Sequence, residues 1–138
     1  MHSQIDLDPT HSVIRLTVLE EDVCLECAED VYRQLSQVAS KGGPYAAIYD
    51  LSAAKHTTIP THVVRAFAKR RPPLPTERKH VVVGKETHIF GLARLFQICS
   101  DNVGREFEVV HTLEEADEFL EVRPEDFTER LYPETVAA

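Results

Sequence analysis

The sequence predicts one α/β domain, with a mostly parallel sheet of four or five strands and helices on both faces of that sheet. Two observations predict it. A chain of 138 residues is long enough for one domain with a sizeable core. Along the chain, short apolar runs typical of strands alternate with segments whose apolar residues recur every three or four positions. This alternation implies right-handed crossovers between neighbouring parallel strands.

The first part of the chain predicts a pair of strands followed by a helix. Residues 11–19 alternate in the way expected of a strand that is buried mainly on one face, and residues 3–8 supply a shorter partner. From Asp22 onward the apolar spacing changes to three and four, which predicts an amphipathic helix. The helix is expected to end near Lys41, because glycine and proline follow there.

The rest of the chain continues this alternation. Strands are predicted over residues 45–52, 78–84 and 105–111, and helices over residues 58–71, 87–100 and 112–120. Thr112 and Glu115 have the spacing of a capping box at the start of the last of these helices. The domain is expected to cover residues 1–122. Residues 123–138 are expected to form a short C-terminal helix and a frayed tail.

Composition and charge favour a cytoplasmic protein. No early segment resembles a signal peptide, and no apolar run is long enough to span a membrane. Three cysteines, an odd number, argue against a disulfide scaffold. The net charge is −8, and the chain is strongly acidic from Glu106 onward. An acidic face of this kind repels nucleic acid and anionic lipid, so neither is expected as a partner.

The segments HVVVGKETHIFGLARLFQICSD and EVVHTLEEADEFL follow an N-terminal strand pair, a helix and the run AAIYDLS. In this β(β)αβαβαβα order the chain resembles small bacterial STAS-like proteins, which are similar in fold to the anti-sigma-factor antagonists. The resemblance covers about residues 5–122. It implies a non-enzymatic regulatory or binding module, and some relatives are compared with CRAL-TRIO lipid-binding domains. No cofactor is predicted.

The chain departs from the antagonists just before the second predicted helix. Their aspartate-serine pair, whose serine is phosphorylated, is missing from the corresponding segment KHTTIPTHV. Thr57 and Thr58 still place hydroxyl groups in that region, where the positive end of a helix would favour a phosphate. These two threonines are therefore the candidate phosphorylation sites.

The pair Cys24 and Cys27 has the C-x-x-C spacing of thiol redox enzymes and of half a zinc site. Both cysteines continue the apolar stripe of the first helix, and the many acids around them are expected to raise their thiol pKa values and reduce their reactivity. No second pair with zinc-ligand spacing accompanies them, and no metal site is predicted. A structural role in the core is favoured, with redox and metal roles left open.

Polar residues follow the predicted parallel strands, at the edge where open sheets bind ligands. We expect a ligand or partner site there and beside the second helix. Its candidate residues are Asp50, Ser52, Thr57, Thr58, Lys85, Thr87, His88, Arg94 and His111. Asp50, His88 and His111 also carry the groups needed for acid–base catalysis, but no nucleophile elbow or phosphate loop accompanies them.

A basic patch surrounds a Pro-x-x-Pro segment after the second predicted helix. It consists of Lys69, Arg70, Arg71, Arg78 and Lys79. The patch invites an anionic partner, and the prolines could dock in a protein groove as polyproline II. The alternative is a stiff connection whose cations complement the end of a helix.

Three functions are compatible with these patterns. The leading hypothesis is a regulatory or binding module that acts through a protein partner or a small ligand, with a homodimer as a further option. The second is a carrier of a small apolar or acyl-chain ligand. It predicts a cavity between the second and third helices, lined by Ile59, Val63, Phe67, Phe90 and Phe96. The third is a hydrolase-like enzyme built on Asp50, His88 and His111.

Overall fold

The computed structural model describes residues 3–75, 77–100 and 107–133. The strands in these residues are β1 (Ser3–Asp8), β2 (Val13–Val18), β3 (Asp22–Val23), β4 (Ala46–Asp50), β5 (His56–Thr57), β6 (His80–Val83), β7 (Phe107–Val110) and β8 (Glu129–Tyr132). The helices are α1 (Leu25–Lys41), α2 (Thr61–Ala68), α3 (Thr87–Cys99) and α4 (Leu113–Leu120), with a short 3-10 helix at Pro124–Asp126. None of the helices in these residues is long and apolar enough to cross a bilayer.

Six strands form the main sheet, in the order β7-β6-β4-β2-β1-β8. The strands β2, β4, β6 and β7 run parallel to one another, whereas β1 is antiparallel to both β2 and β8. The predicted α/β class with a mostly parallel sheet is therefore confirmed, but the predicted four or five strands are too few, because β8 adds a sixth strand. The short strands β3 and β5 pair in parallel as a separate two-stranded sheet.

Helices cover both faces of the main sheet. Successive side chains of a strand point to opposite faces, and buried side chains occur on both. On one face, Leu16 of β2 packs with Leu35 of α1, and Val82 of β6 packs with Ala93 of α3. The helix α2 lies against α3 on the same side. On the other face, α4 packs against the core around Ile48. One face therefore carries three helices and the other carries one.

The end of the chain differs from the prediction. The helix expected over residues 123–132 is limited to the 3-10 helix, and β8 instead pairs with the outer edge of β1. The reason is a tertiary one: Asp6 on β1 is buried, and Nε of Arg130 donates to its Oδ1 at 2.7 Å. The segment after residue 122 thus completes the main sheet. The tail predicted to fray is residues 133–138, and all of it except Pro133 lies outside the described residues.

Helix starts follow the predictions in part. At α4 the predicted cap Thr112 is confirmed, since Glu115 N donates to its Oγ1 at 3.2 Å. The box is only half formed, because Oε1 of Glu115 accepts from the Thr112 hydroxyl at 3.1 Å and not from the Thr112 backbone N–H. At α2 the predicted start at residue 58 is wrong, because the N–H of Thr58 donates to the Val23 carbonyl and the helix begins at Thr61, after Pro60. Thr87 is the first residue of α3 and does not cap it.

Asp117 is a buried carboxylate on α4 that we expect to destabilise the fold at neutral pH. It is 7% exposed, and its Oδ1 has no hydrogen-bond partner in the described part of the chain. Burial raises its pKa; Arg15 opposes this, while Asp50 and Asp126 add to the rise. Because folding raises this pKa, the contribution of Asp117 to stability is fully present below its unfolded pKa of about 3.9. That contribution is lost as pH rises through the folded pKa.

Replacing Asp117 by asparagine removes this buried charge. We expect Asp117→Asn to raise the free energy of unfolding at pH 7 by about 1 kcal/mol, with a smaller gain below about pH 4, where the acid is protonated in both states. Urea denaturation at both pH values measures the difference. The matched control is Glu118→Gln on the exposed side of the same helix, expected to change stability by less than about 0.5 kcal/mol. A gain for Asp117→Asn no larger than that of the control would contradict this account.

Candidate ligand-binding cavity

A cavity of about 330 Å³ lies between the main sheet and the three helices on its more heavily covered face. The sheet contributes Leu16, Val18 and Val82 to its wall. The helices α1 and α3 contribute further apolar side chains, including Val31 and Leu92. These residue types make the wall of the cavity largely apolar.

The position of the cavity corrects part of the carrier hypothesis. It was expected between α2 and α3, but those helices pack on each other, and the cavity lies beneath them, toward α1 and the sheet. Ile59, Phe67 and Phe96 line it as predicted. Val63 and Phe90 are not among its lining residues; Phe90 stacks on the ring of His111, with centroids 4.0 Å apart.

One internal polar pair interrupts the apolar wall. Tyr49 on β4 and His80 on β6 both line the cavity, and the Tyr49 hydroxyl lies 3.0 Å from His80 Nδ1. His80 Nε2 lies 2.7 Å from the Pro75 carbonyl oxygen, which can only accept. The proton of the neutral ring therefore resides on Nε2, and Nδ1 accepts from the Tyr49 hydroxyl. Burial lowers the pKa of His80 and raises the pKa of Tyr49, so both side chains are held neutral.

Two further polar residues at the cavity form hydrogen bonds with neighbouring groups of the protein. Thr57 donates its hydroxyl to the Val23 carbonyl at 2.8 Å and accepts from Ile59 N at 3.1 Å. Arg70 makes two hydrogen bonds to the carboxylate of Glu29, at 2.8 and 3.0 Å. Their hydrogen-bonding capacity is thus largely engaged by the protein itself.

Contacts from α1 close one side of the cavity. Glu29 on α1 binds Arg70, which follows α2, and the Tyr32 hydroxyl donates to the carbonyl of Arg71. The Arg70 guanidinium also lies 4.2 Å from the centre of the Phe67 ring. Because Tyr32, Phe67 and Arg70 all line the cavity, these contacts join its wall across α1 and α2.

The residues predicted at the sheet edge do not form one site by mutual contact. Oδ1 of Asp50 accepts from the backbone N–H and the hydroxyl of Ser52, which makes a local turn. His88 stacks on His56 with centroids 6.2 Å apart, and His111 stacks on Phe90. Asp50, His88 and His111 thus engage three different neighbours.

The remaining edge candidates lie on the surface. Lys85, Thr87 and Thr58 are exposed. Arg94, also exposed, donates from Nη1 to Oε1 of Gln97 at 2.9 Å. Of the nine predicted site residues, Thr57 is the one that lines the cavity.

Several cations of the basic patch hold segments of the fold together. Arg78 donates to the carbonyls of Pro44 and His11, at 2.6 and 3.3 Å, and Lys79 donates to the Phe119 carbonyl at 3.3 Å. Lys69 is the C-terminal cap of α2. In the Pro-x-x-Pro segment, Leu74 is buried in the core. These contacts favour the interpretation of the segment as a stiff structural connection.

The cysteine pair follows its prediction at Cys27 and departs from it at Cys24. Cys24 is the N-cap of α1, and Cys27 is buried on the first turn. Their Sγ atoms are 3.0 Å apart. Hydrogen bonds from the Cys27 side chain and backbone lower the pKa of Cys24, contrary to the expected rise, whereas burial raises the pKa of Cys27. The local hydrogen bonds of the cap outweigh the charge of the nearby acids.

A group of possible metal ligands was missed by the sequence analysis. Ligand atoms of Asp8, His11 and Asp126 lie within 4.8 Å of one another. Contacts within the protein account for this group: Asp8 accepts from Thr10 N and from both the backbone and the ring of His11. Asp126 accepts from Arg123 N at 2.9 Å. The three residues therefore stabilise two adjacent turns.

Comparison with known proteins supplies no relative for this chain. No protein-family model matches the sequence, and neither a curated protein nor a solved structure matches it. The resemblance to STAS-like proteins therefore stays a prediction.

Proposed function

We propose that the protein binds a small apolar molecule in the cavity and acts as a carrier or as a ligand-responsive binding module. The observation that supports this is the cavity itself, whose volume of about 330 Å³ is within the range of small-molecule sites. Apolar cavities of about 150 Å³ in other proteins stay dry and bind benzene. An occupant would restore dispersion contacts that the lining side chains otherwise lack.

The polar pair indicates that the ligand is neutral. Since the Tyr49 hydroxyl donates to His80, the group that it can still offer a ligand is an acceptor oxygen. An alcohol can donate to that oxygen, whereas a carboxylate cannot. A carboxylate would also pay a large desolvation cost in an apolar cavity, and Arg70 is already paired with Glu29. We therefore expect a long-chain alcohol to bind more tightly than the carboxylate of the same chain length.

A non-enzymatic role is part of the proposal. It is supported by the separate engagement of Asp50, His88 and His111 with Ser52, His56 and Phe90. The relation to STAS-like proteins and their partner-dependent regulation is retained as a proposal, supported by the mostly parallel sheet. In that case Thr58, which is exposed, is a better candidate for phosphorylation than Thr57, whose hydroxyl is engaged.

Native mass spectrometry of the protein purified from its own host tests the proposal directly. We expect a mass excess that is lost on denaturation, and chromatography of the released material should identify a neutral apolar compound. A covalent excess retained on denaturation would instead favour modification. A bare mass, combined with failure to bind neutral apolar probes, would contradict the carrier function.

Filling the cavity provides a variant test. Ala93 on α3 lines the cavity, so Ala93→Leu places three further carbon atoms against that space. We expect this change to weaken the binding of N-phenyl-1-naphthylamine, a neutral fluorescent probe, by about tenfold, which corresponds to about 1.4 kcal/mol. The matched control is Ala66→Leu on α2, an exposed position outside the lining, which should leave the dissociation constant within about twofold. Equal effects of both changes would place the probe elsewhere.

A further inference from the structure

The start of α1 holds two thiols in contact. Cys24 caps the helix and Cys27 lies on its first turn, with Sγ atoms 3.0 Å apart. A disulfide bond is about 2.05 Å long, so the sulfur atoms need to approach by only about 1 Å. The Cys27 N–H also points at Cys24 Sγ, at a distance of 3.4 Å. The pair is thus already arranged for bond formation.

The position of the pair is held by the small sheet just before the helix. Asp22 and Val23 form β3, which pairs with β5. The Val23 carbonyl accepts both from Thr57 Oγ1 at 2.8 Å and from Thr58 N at 3.2 Å. These contacts hold the residue directly before Cys24 and so fix the chain on which Cys24 lies.

The two thiols differ in exposure and in pKa, and these differences assign them to different steps of a thiol–disulfide exchange reaction. Cys24 is half-buried, so a small molecule can reach it, whereas Cys27 is 3% exposed and lines the cavity. Hydrogen bonds from Cys27 lower the pKa of Cys24, which favours its thiolate, and burial keeps Cys27 protonated by raising its pKa. An exposed thiolate is the attacking group in thiol–disulfide exchange.

Cations compensate part of the acidic surroundings, whereas Glu26 still raises the pKa of Cys24 and is outweighed by the hydrogen bonds from Cys27. Glu29 is paired with Arg70, and Asp30 lies 3.5 Å from Arg33. Glu21 lies 3.4 Å from Lys55. These cations reduce the repulsion that would otherwise oppose a thiolate at the start of the helix.

The same geometry argues against a metal site at this pair. Zinc held by protein groups alone takes four ligands. Across residues 3–75, 77–100 and 107–133, the two thiols belong to no group of three or more histidine, cysteine or carboxylate ligand atoms within 4.8 Å of one another.

We propose that Cys24 and Cys27 form a redox-active dithiol that reacts with a low-molecular-weight disulfide, such as oxidised glutathione, and closes into an intramolecular disulfide. The Cys24 thiolate attacks one sulfur of the small disulfide, and the other sulfur leaves as a thiolate. Cys27 then loses its proton and attacks Cys24 Sγ, which releases the second small thiolate. The protein dithiol is oxidised, the small disulfide is reduced to two thiols, and the two protein protons end on those thiols.

The experiment uses the full chain, reduced and then freed of reductant, and equilibrated in glutathione buffers from strongly reducing to strongly oxidising. Maleimide labelling followed by intact-mass and peptide analysis counts the thiols. We expect Cys24 and Cys27 to lose their labels together, through loss of two hydrogen atoms, while Cys99 keeps its label or gains glutathione only in the most oxidising buffers. Cys99, at the end of α3, is the internal control.

Single substitutions separate the two roles. Cys27→Ser should accumulate a glutathione adduct on Cys24, because the second thiol is missing. Cys24→Ser should react several-fold more slowly, because Cys27 is buried. If the unmodified protein keeps both labels in oxidising buffer, the proposal is wrong, and this result depends on no variant. Equal adduct formation in both variants would also overturn the assigned roles. Neither outcome bears on probe binding in the cavity, which is measured separately.

Discussion

Removing residues 123–138 is expected to lower the free energy of unfolding by about 4 kcal/mol or more, a large part of the stability of a domain of this size. The truncation removes β8 from the edge of β1. It also removes Arg130, whose guanidinium donates to the buried Asp6, and Phe127, whose ring centre lies 4.6 Å from the Arg15 guanidinium. Asp6 would retain Arg15 at 3.9 Å as a weaker partner.

Urea denaturation followed by circular dichroism measures this loss. A truncation that ends at Pro133 keeps β8 and separates its contribution from that of the last five residues. The point variant Arg130→Met should cost about 2 kcal/mol, less than the loss of a fully buried pair, because Arg130 is 37% exposed. Arg123→Met, at a more exposed arginine of the same segment, is the matched control. If the protein ending at residue 122 were as stable as the full chain, β8 would have no role in the fold.

The prediction from sequence succeeded where a pattern is local. In α1 the apolar spacing and the glycine after Lys41 mark the helix and its end, and in α4 the spacing of Thr112 and Glu115 marks the cap. These signals lie within a few residues of the structure that they determine. The pairing of β1 with β2 could also be predicted from the sequence, since the two strands are joined by a short turn that Asp8 stabilises.

It failed where the cause lies far away in the chain. The segment at Glu129–Tyr132 has no strong alternation of its own and becomes a strand because β1, more than 120 residues earlier, offers an open edge and a buried acid. The cavity has a similar origin: it arises from how three helices rest on one sheet face, and no single segment encodes that spacing. Tyr49, which follows three apolar residues of β4, was the available sequence signal of a polar group inside the cavity.

Replacing His80 by alanine is expected to lower the free energy of unfolding by about 3 kcal/mol, because it leaves two half-buried hydrogen-bond partners unsatisfied and enlarges the cavity. The Tyr49 hydroxyl would lose its acceptor, and the Pro75 carbonyl would lose its donor. Tyr49→Phe removes only the first of these bonds and should cost about 1 kcal/mol. Since the two residues share a hydrogen bond, the double variant should lose less than the sum of the single losses. Strict additivity in urea denaturation would contradict the bond.

The lowered pKa of His80 predicts a pH dependence with a definite sign. Burial disfavours the charged ring in the folded state, so near and below about pH 6.5 the unfolded chain binds more protons than the folded chain does. Stability should therefore fall as pH decreases from about 6.5 toward the lowered folded pKa, with a slope from this residue of at most about 1.4 kcal/mol per pH unit. The variant His80→Gln tests this assignment, because glutamine keeps a hydrogen-bond donor and an acceptor but does not titrate.

Denaturation of the unmodified protein, His80→Gln and His62→Gln between pH 7.5 and 5 separates the contribution of His80 from that of the other histidines. We expect His80→Gln to flatten the slope, while His62→Gln, at an exposed position on α2, should leave it unchanged. The same change bears on the cavity, because protonation of His80 would end its role as the acceptor of the Tyr49 hydroxyl and place a charge beside an apolar ligand. Binding of a neutral probe should thus weaken over the same pH range in the unmodified protein and stay constant in His80→Gln. If stability and probe binding lost their pH dependence in His62→Gln instead, the assignment to His80 would be wrong.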